Sequence, residues 1–290
     1  MDDIFDLQDE ITREVVTGLR VQLTDGESAA TWNRGTRNIE AWRLIVQGHG
    51  EMFQFHAEGM LRARDVATRA RNLDPDYATA WALEGMTHWY EVRLSLADDR
   101  DRSLSLAVAC AAKATALDAE NPSVIVQSAI TSALQGRYDE ALDVARRGLA
   151  SNPGSADVRA VLGMCQDFNG NSVEAVGLFD EAKQLNPLHP IWYFSASARA
   201  LDACGRQDDA LRNVRDGLSR QHNNFPCLLQ LASLLGRRGE TAEAARATAD
   251  ALRHSPGFTL DRVDQWLMTR NHAFVAEFKD GLRKSGLREG

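Results

Sequence analysis

Small residues recur along this chain in four parallel series, and that recurrence admits very few architectures. Ala63, Ala107, Ala141, Ala175, Ala210 and Ala244 stand at steps of 44, 34, 34, 35 and 34. Seven residues later Ala70, Ala114, Gly148, Ala182, Gly217 and Ala251 repeat the same steps. Gly85, Ala129, Gly163, Ser197 and Ala232 precede the first series in step with it, and Pro75, Ala119, Pro153, Pro187, His222 and Pro256 close the units. Self-similarity at such a period marks a stack of supersecondary units, each burying its apolar face against the next.

Each unit reads as two antiparallel amphipathic helices. The small residues fall where the helices approach most closely, and a large side chain there would overpack the contact. Leu73-Asp74-Pro75 and Leu185-Asn186-Pro187 end a second helix, because proline lacks an N–H and restricts the residue before it. Gly136, Gly170 and Gly239 lie five residues before the central alanine, where the inter-helix turn needs a permissive backbone. Arg137-Tyr138-Asp139-Glu140-Ala141-Leu142 then starts a second helix with acids in its first turn, which suits the helix dipole. Abundant Ala and Leu, with only 7 prolines, favour helix over sheet.

This pattern resembles the tetratricopeptide repeat. The best match runs from Val158 to Pro187 through Leu162-Gly163, Gly170, Ala175, Phe179 and Ala182. The departures are Ala119 and His222 for the closing proline, one extra residue near Cys204-Gly205, and about ten extra residues between Trp89 and Ser105. The first unit, Ile39 to Leu73, fits more loosely. The resemblance implies an all-α, right-handed α-solenoid of about six hairpins, spanning residues 39–256.

The ends are not repeats. Ile4, Phe5, Leu7, Ile11, Val15, Leu19 and Leu23 lie near helical spacing, which predicts an amphipathic N-terminal helix within residues 1–38. Residues 257–290 are expected to form capping helices. The stretch DIFDLQDEITREVVTGL, followed by TRNIEAWRLIVQG, resembles the junction between a TolB-like domain and the repeats of multidomain bacterial class III adenylate cyclase proteins. SPGFTLDRVDQWLMTRNHAFVAEFKDGLRKSGL resembles the ending of that group. The resemblance implies the C-terminal part of a larger signalling protein, or a stand-alone relative without the front. It carries over no catalytic residue, because no segment here reads as the cyclase domain.

Other chemistries find little support. Lys plus Arg number 33 against 41 Asp plus Glu, a net charge of −8 with no basic run, which argues against nucleic acid and anionic lipid. No apolar run approaches the roughly 18 residues of a membrane helix, and the acidic N-terminus does not read as a secretory signal. Cys110, Cys165, Cys204 and Cys227 form no CxxC pair and are expected as buried core residues in a reducing, cytoplasmic setting. The seven histidines show no HxxxH or HExxH spacing, and GxSxG, P-loop and GxGxxG motifs are absent. Asp2, Asp3, Asp6 and Asp9 read as a solvated helix start, and Asp98-Asp99-Arg100-Asp101-Arg102 as a charged loop without the glycine and glutamate of an EF-hand. Catalytic, metal and cofactor sites are therefore all expected to be absent.

The concave face, lined by the first helix of each hairpin, is the expected partner surface. The repeat register assigns to it Met86, Trp89, Tyr90, Ile130, Leu134, Met164, Asp167, Phe168, Phe194 and Leu201, with Ala82 and Val126. Aromatics and Met suit a peptide groove, although the same spacing also suits core packing. Positions that would clamp acidic chaperone tails carry Ala82, Met86, Val126 and Ile130, which excludes that mode. The leading reading is a non-catalytic interaction module that regulates or positions a cyclase or TolB-like domain. A free-standing scaffold for an extended peptide and an enzyme with an unrecognised site are the alternatives. Homodimerisation through residues 4–23 or 258–287 is a further expectation.

Overall fold

The structure is a computed structural model and describes residues 32–290. The expected helix at residues 4–23, and the aspartates at its start, lie outside the described residues. From Ile39 onward six antiparallel hairpins follow one another: α1 (Ile39–Met52) with α2 (Ala57–Leu73), α3 (Ala78–Arg93) with α4 (Arg100–Asp118), and α5 (Pro122–Leu134) with α6 (Tyr138–Ser151). Next come α7 (Ala156–Phe168) with α8 (Ser172–Leu185), α9 (Trp192–Ala203) with α10 (Gln207–Arg220), and α11 (Phe225–Arg238) with α12 (Thr241–His254). A 3₁₀ turn (Leu260–Arg262), α13 (Val263–Leu267) and α14 (His272–Lys284) complete the chain. The fold is the expected all-α right-handed solenoid.

Local chemistry places the helix boundaries. Asn38, Asp99, Asn121, Ser155, Asn224 and Asn271 each cap a helix start by accepting a backbone N–H from the first turn. Pro122 and Pro226 sit in the first turn of their helices, where a missing N–H costs nothing. Units lacking the closing proline still end on schedule: α4 stops before Ala119 and α10 before Gln221. In both cases the next helix begins within a few residues on its own asparagine cap, Asn121 or Asn224.

The six central alanines are all fully buried. A Cβ on Gly163 would stand 3.2 Å from the Ala175 carbonyl, so α7 and α8 meet backbone to backbone at this pair. Ala175→Phe should therefore cost at least ~1–3 kcal/mol by overpacking. A denaturant melt displaced by less than a few tenths of a kcal/mol would contradict this packing.

Inner and outer helices divide the burial unequally. α11 is buried continuously from Phe225 to Gly236, whereas α6 buries only Ala141, Leu142, Ala145 and Gly148. A helix buried all round has neighbours on every side, and the array supplies them by curling on itself. The first hairpin's loop meets the fifth hairpin where Gln221 Nε2 donates to the Phe53 carbonyl at 2.9 Å. Ser255 Oγ likewise donates to the Leu94 carbonyl at 2.6 Å.

The enlarged second hairpin takes part in this closure. α3 has 16 residues and α4 19, against 13 and 14 in the next hairpin. The expected charged loop is partly helix: Asp99 caps α4 and Arg100–Arg102 form its first turn. The extra turn of α3 carries Val92, Arg93 and Leu94 to the C-terminal segment, where Gln265 Nε2 donates to the Val92 carbonyl at 2.8 Å.

That C-terminal segment lies across the inner side of the solenoid. Arg93 Nε donates to the Trp266 carbonyl at 2.9 Å, Arg199 Nη1 to the Leu267 carbonyl at 2.9 Å, and Thr269 Oγ1 to the Asp167 carbonyl at 3.0 Å. The Arg270 guanidinium grips Asp139 with two bonds of 2.8 Å. Met268 turns the chain between these contacts at φ +49°, a left-handed conformation stabilised by burial of its side chain. α14 then packs on α11, with Gly236 and Gly281 face to face. A Cβ on either would strike the other helix's backbone. Phe258, Leu260, Trp266, Phe278 and Leu282 are buried in this arrangement, so the apolar side of residues 258–287 is spent within the chain.

Candidate functional site

The six inner helices and Trp266 of the C-terminal segment line a partly open cavity of about 70 Å³. On the same measure one water needs about 10–15 Å³, so the space holds several waters or a small molecule. His49 comes from α1, Trp89, Tyr90 and Arg93 from α3, and Ile130 from α5. Met164 comes from α7, Trp192 and Arg199 from α9, Gln230 from α11, and Trp266 closes one side. The walls are largely aromatic, with Trp89 and Tyr90 edge to face at 4.8 Å and Phe55 edge to face on Tyr90 at 5.3 Å.

The ten residues assigned to the concave face by register are all buried. Met86, Trp89, Tyr90, Ile130 and Met164 line the cavity. The other five pack around it. Asp167 binds Arg199, Phe168 lies under the Arg199 guanidinium at 4.7 Å, and Phe194 receives Arg220 at 5.3 Å. Leu134 and Leu201 join the apolar core. The chain's own residues 266–269 bond to α3, α7 and α9 on this side.

Apart from Asp167, the charges at the centre lie outside the register's assignment. Arg199 and Asp167 are each 2% exposed and pair at 2.5 Å from Nε to Oδ2, with Ser172 Oγ donating to the other carboxylate oxygen at 2.6 Å. One helix further along, Arg237 pairs with Asp202, again almost fully buried. Burial raises the Asp202 carboxyl, and the Arg237 charge opposes that rise. Arg93, stacked over Trp89 at 4.9 Å and Trp266 at 5.3 Å, is drawn down to about 9 by burial and then by the Arg199 charge. The sequence does carry a signal for Arg199. Ile130, Met164 and Arg199 stand at steps of 34 and 35, the same as Ala141, Ala175 and Ala210, so the register itself puts a cation on the concave face. Trp266 and Arg93 have no such signal, because both reach the cavity only through the closure.

His49 lines the cavity as a neutral ring, stacked on Trp32 at 4.0 Å and held down to about 3 by burial. Burial likewise holds His189 down to about 4. Both protonate near 6.5 once unfolded, so below that pH the unfolded chain binds more protons. Their contribution is complete above about 6.5 and is lost as pH falls towards their folded values. Wild-type stability should therefore decline from pH 6.5 to pH 4, by up to ~1.4 kcal/mol per pH unit for each histidine. His49→Phe should make that decline shallower; an unchanged slope in urea melts would show that His49 is not buried neutral.

Cys110, Cys165 and Cys227 are buried free thiols, each pushed up to about 12 by burial, while Cys204 is half-buried. Glu91 is shared among Arg64 at 2.5 Å, His88 at 3.2 Å and Ser103 at 3.3 Å, which ties α2, α3 and α4 together. Among the described residues no group of three His, Cys, Asp or Glu side chains could hold a metal ion, and no helix is long and apolar enough to cross a membrane.

The helical-hairpin solenoid defines a fold class that known proteins share. The tetratricopeptide repeat family model matches residues 132–200. Over 82 residues the chain is 40% identical to "Putative adenylate cyclase 3" of Rhizobium meliloti (strain 1021), a match spanning 28% of this chain and 14% of that protein. Among solved structures, IFIT1 with m7Gppp-AAAA aligns with a TM-score of 0.55 at 14% identity, covering 88% of this chain and 62% of that one. The tetratricopeptide protein TTC0263 of Thermus thermophilus aligns at 0.51 and 17% identity, covering 67% of this chain and 98% of that one. Residues 132–200 thus carry tetratricopeptide-type sequence, the helical-hairpin fold is shared with solved proteins, and a local stretch is similar to a protein named as a cyclase, of which the chain matches only a small part.

Proposed function

We propose that this chain is a non-catalytic regulatory module of a bacterial signalling protein and acts on a class III adenylate cyclase, in the same polypeptide or as a partner. One observation carries the proposal: the 40% identity over 82 residues with the protein named as an adenylate cyclase. The resemblance of both chain ends to cyclase-associated repeat proteins supports it. In this reading the module works in the cytoplasm, and its partner is a cyclase or a TolB-like domain. The free-standing peptide scaffold is less well supported, because the chain's own residues 266–269 bond to α3, α7 and α9 on the inner face that a peptide would use.

The test is cyclic-AMP synthesis by the cognate cyclase with this module joined, added separately, or omitted. The module should change the rate or effector response several-fold when present. Identical kinetics in all three arrangements, with no association on a sizing column, would refute the assignment. Cyclic-nucleotide synthesis by this chain alone would refute its non-catalytic part.

A further inference from the structure

The cavity carries an asymmetry of charge that packing alone does not explain. Two guanidinium groups, Arg93 and Arg199, line it, and Asp167 forms its ion pair with Arg199. Among the described residues Arg93 has no carboxylate partner; its Nε is taken by the Trp266 carbonyl. It is surrounded by protein yet keeps accessible surface, and it lines the cavity. The carboxylate that lines the cavity, Asp157, receives the Tyr193 hydroxyl at 2.7 Å and stands at the start of α7. Ten residues of helix, about 15 Å, separate it from Asp167.

An unpaired cation inside a protein is costly unless an anion or water completes it. Here the guanidinium lies over two indoles, those of Trp89 and Trp266, and lines the cavity beside them. That combination selects a ligand with one acidic group and a flat apolar body. Buried polar atoms at the margin, the unpartnered oxygen of Gln230 and both ring nitrogens of His49, add hydrogen-bonding capacity the protein itself leaves unused. We propose that the cavity is a binding site for a small aromatic carboxylate, whose carboxylate pairs with Arg93 and whose ring lies among Trp89, Tyr90, Trp192 and Trp266.

Isothermal titration of the full chain with benzoate, phenylacetate, benzamide and inorganic phosphate tests the proposal without any cyclase, so its failure is separable from that of the regulatory assignment. Benzoate or phenylacetate should bind with a dissociation constant below about 1 mM, in keeping with their size. Either should bind at least ~10-fold more tightly than neutral benzamide, because a charge-assisted bond is lost. Phosphate, having no apolar body, should be at least as weak as benzamide. Arg93→Gln, verified as folded by circular dichroism, should bring the carboxylates down to the benzamide level, and Arg93→Lys should retain part of the preference. Carboxylates no tighter than benzamide, phosphate as tight as benzoate, or a folded Arg93→Gln with unchanged binding would each overturn it. The benzoate–benzamide comparison needs no variant, so misfolding of Arg93→Gln would leave it decisive.

Discussion

Asp167→Ala is expected to destabilise the protein by about 3–5 kcal/mol, more than a surface substitution by an order of magnitude. The cause is the charge left behind. Arg199 is 2% exposed and has no second carboxylate to turn to among the described residues, since Asp202 is engaged by Arg237. Removing Asp167 also frees the Ser172 hydroxyl and weakens the seat on which Thr269 and Arg270 dock. The double variant Asp167→Leu with Arg199→Met should recover much of the loss, because two apolar groups of similar volume remove both desolvation costs together. Equilibrium urea unfolding of the two single variants and the double would measure this. A single-variant loss under about 1 kcal/mol, or a double variant no better than the sum of the singles, would mean the pair is more hydrated than its burial indicates.

Trp266→Ala should cost about 3–5 kcal/mol, the range for deleting a buried aromatic. Its indole is fully buried, stacked on Phe278 at 5.5 Å and covered by Arg93. The loss should be spatially broad. Residues 258–271 touch α3, α7 and α9 at once, so loosening this anchor should raise amide exchange at Val92, Phe168 and Leu267 together. Trp266→Phe should retain most of the stability, since it keeps an aromatic ring and removes an indole N–H that has no acceptor. Enhanced exchange confined to α14 would show that the C-terminal segment caps the array without bracing its interior.

The hairpins and their turns are legible in the sequence because they depend on local chemistry repeated six times. Small residues mark the crossings, glycine at φ +77° to +87° turns the chain at Gly136, Gly170 and Gly239, and asparagine caps start the next helix even where proline is missing. The inner face is legible as a set of residues but not as a surface. Met86, Trp89 and Met164 lie where the register places them, yet what they face comes from residues about 100 to 180 positions away. Arg199 is readable from its step after Met164, but an arginine in a helix is usually solvated, so the step alone does not single it out. Asp167, expected on an open face, instead forms the buried half of an ion pair.

Taken by itself, the sequence determined the repeat, the helix boundaries and the positions at which backbones touch, since each is decided within about 34 residues. The tertiary structure alone decided that the solenoid closes on itself. Closure depends on how small rotations add up over six hairpins and on an extra turn of α3 meeting a C-terminal segment from the far end of the chain. No local pattern encodes that sum. The closure turns a row of apolar positions into the wall of a cavity, and it sets Arg93 in that wall with no carboxylate paired to it among the described residues.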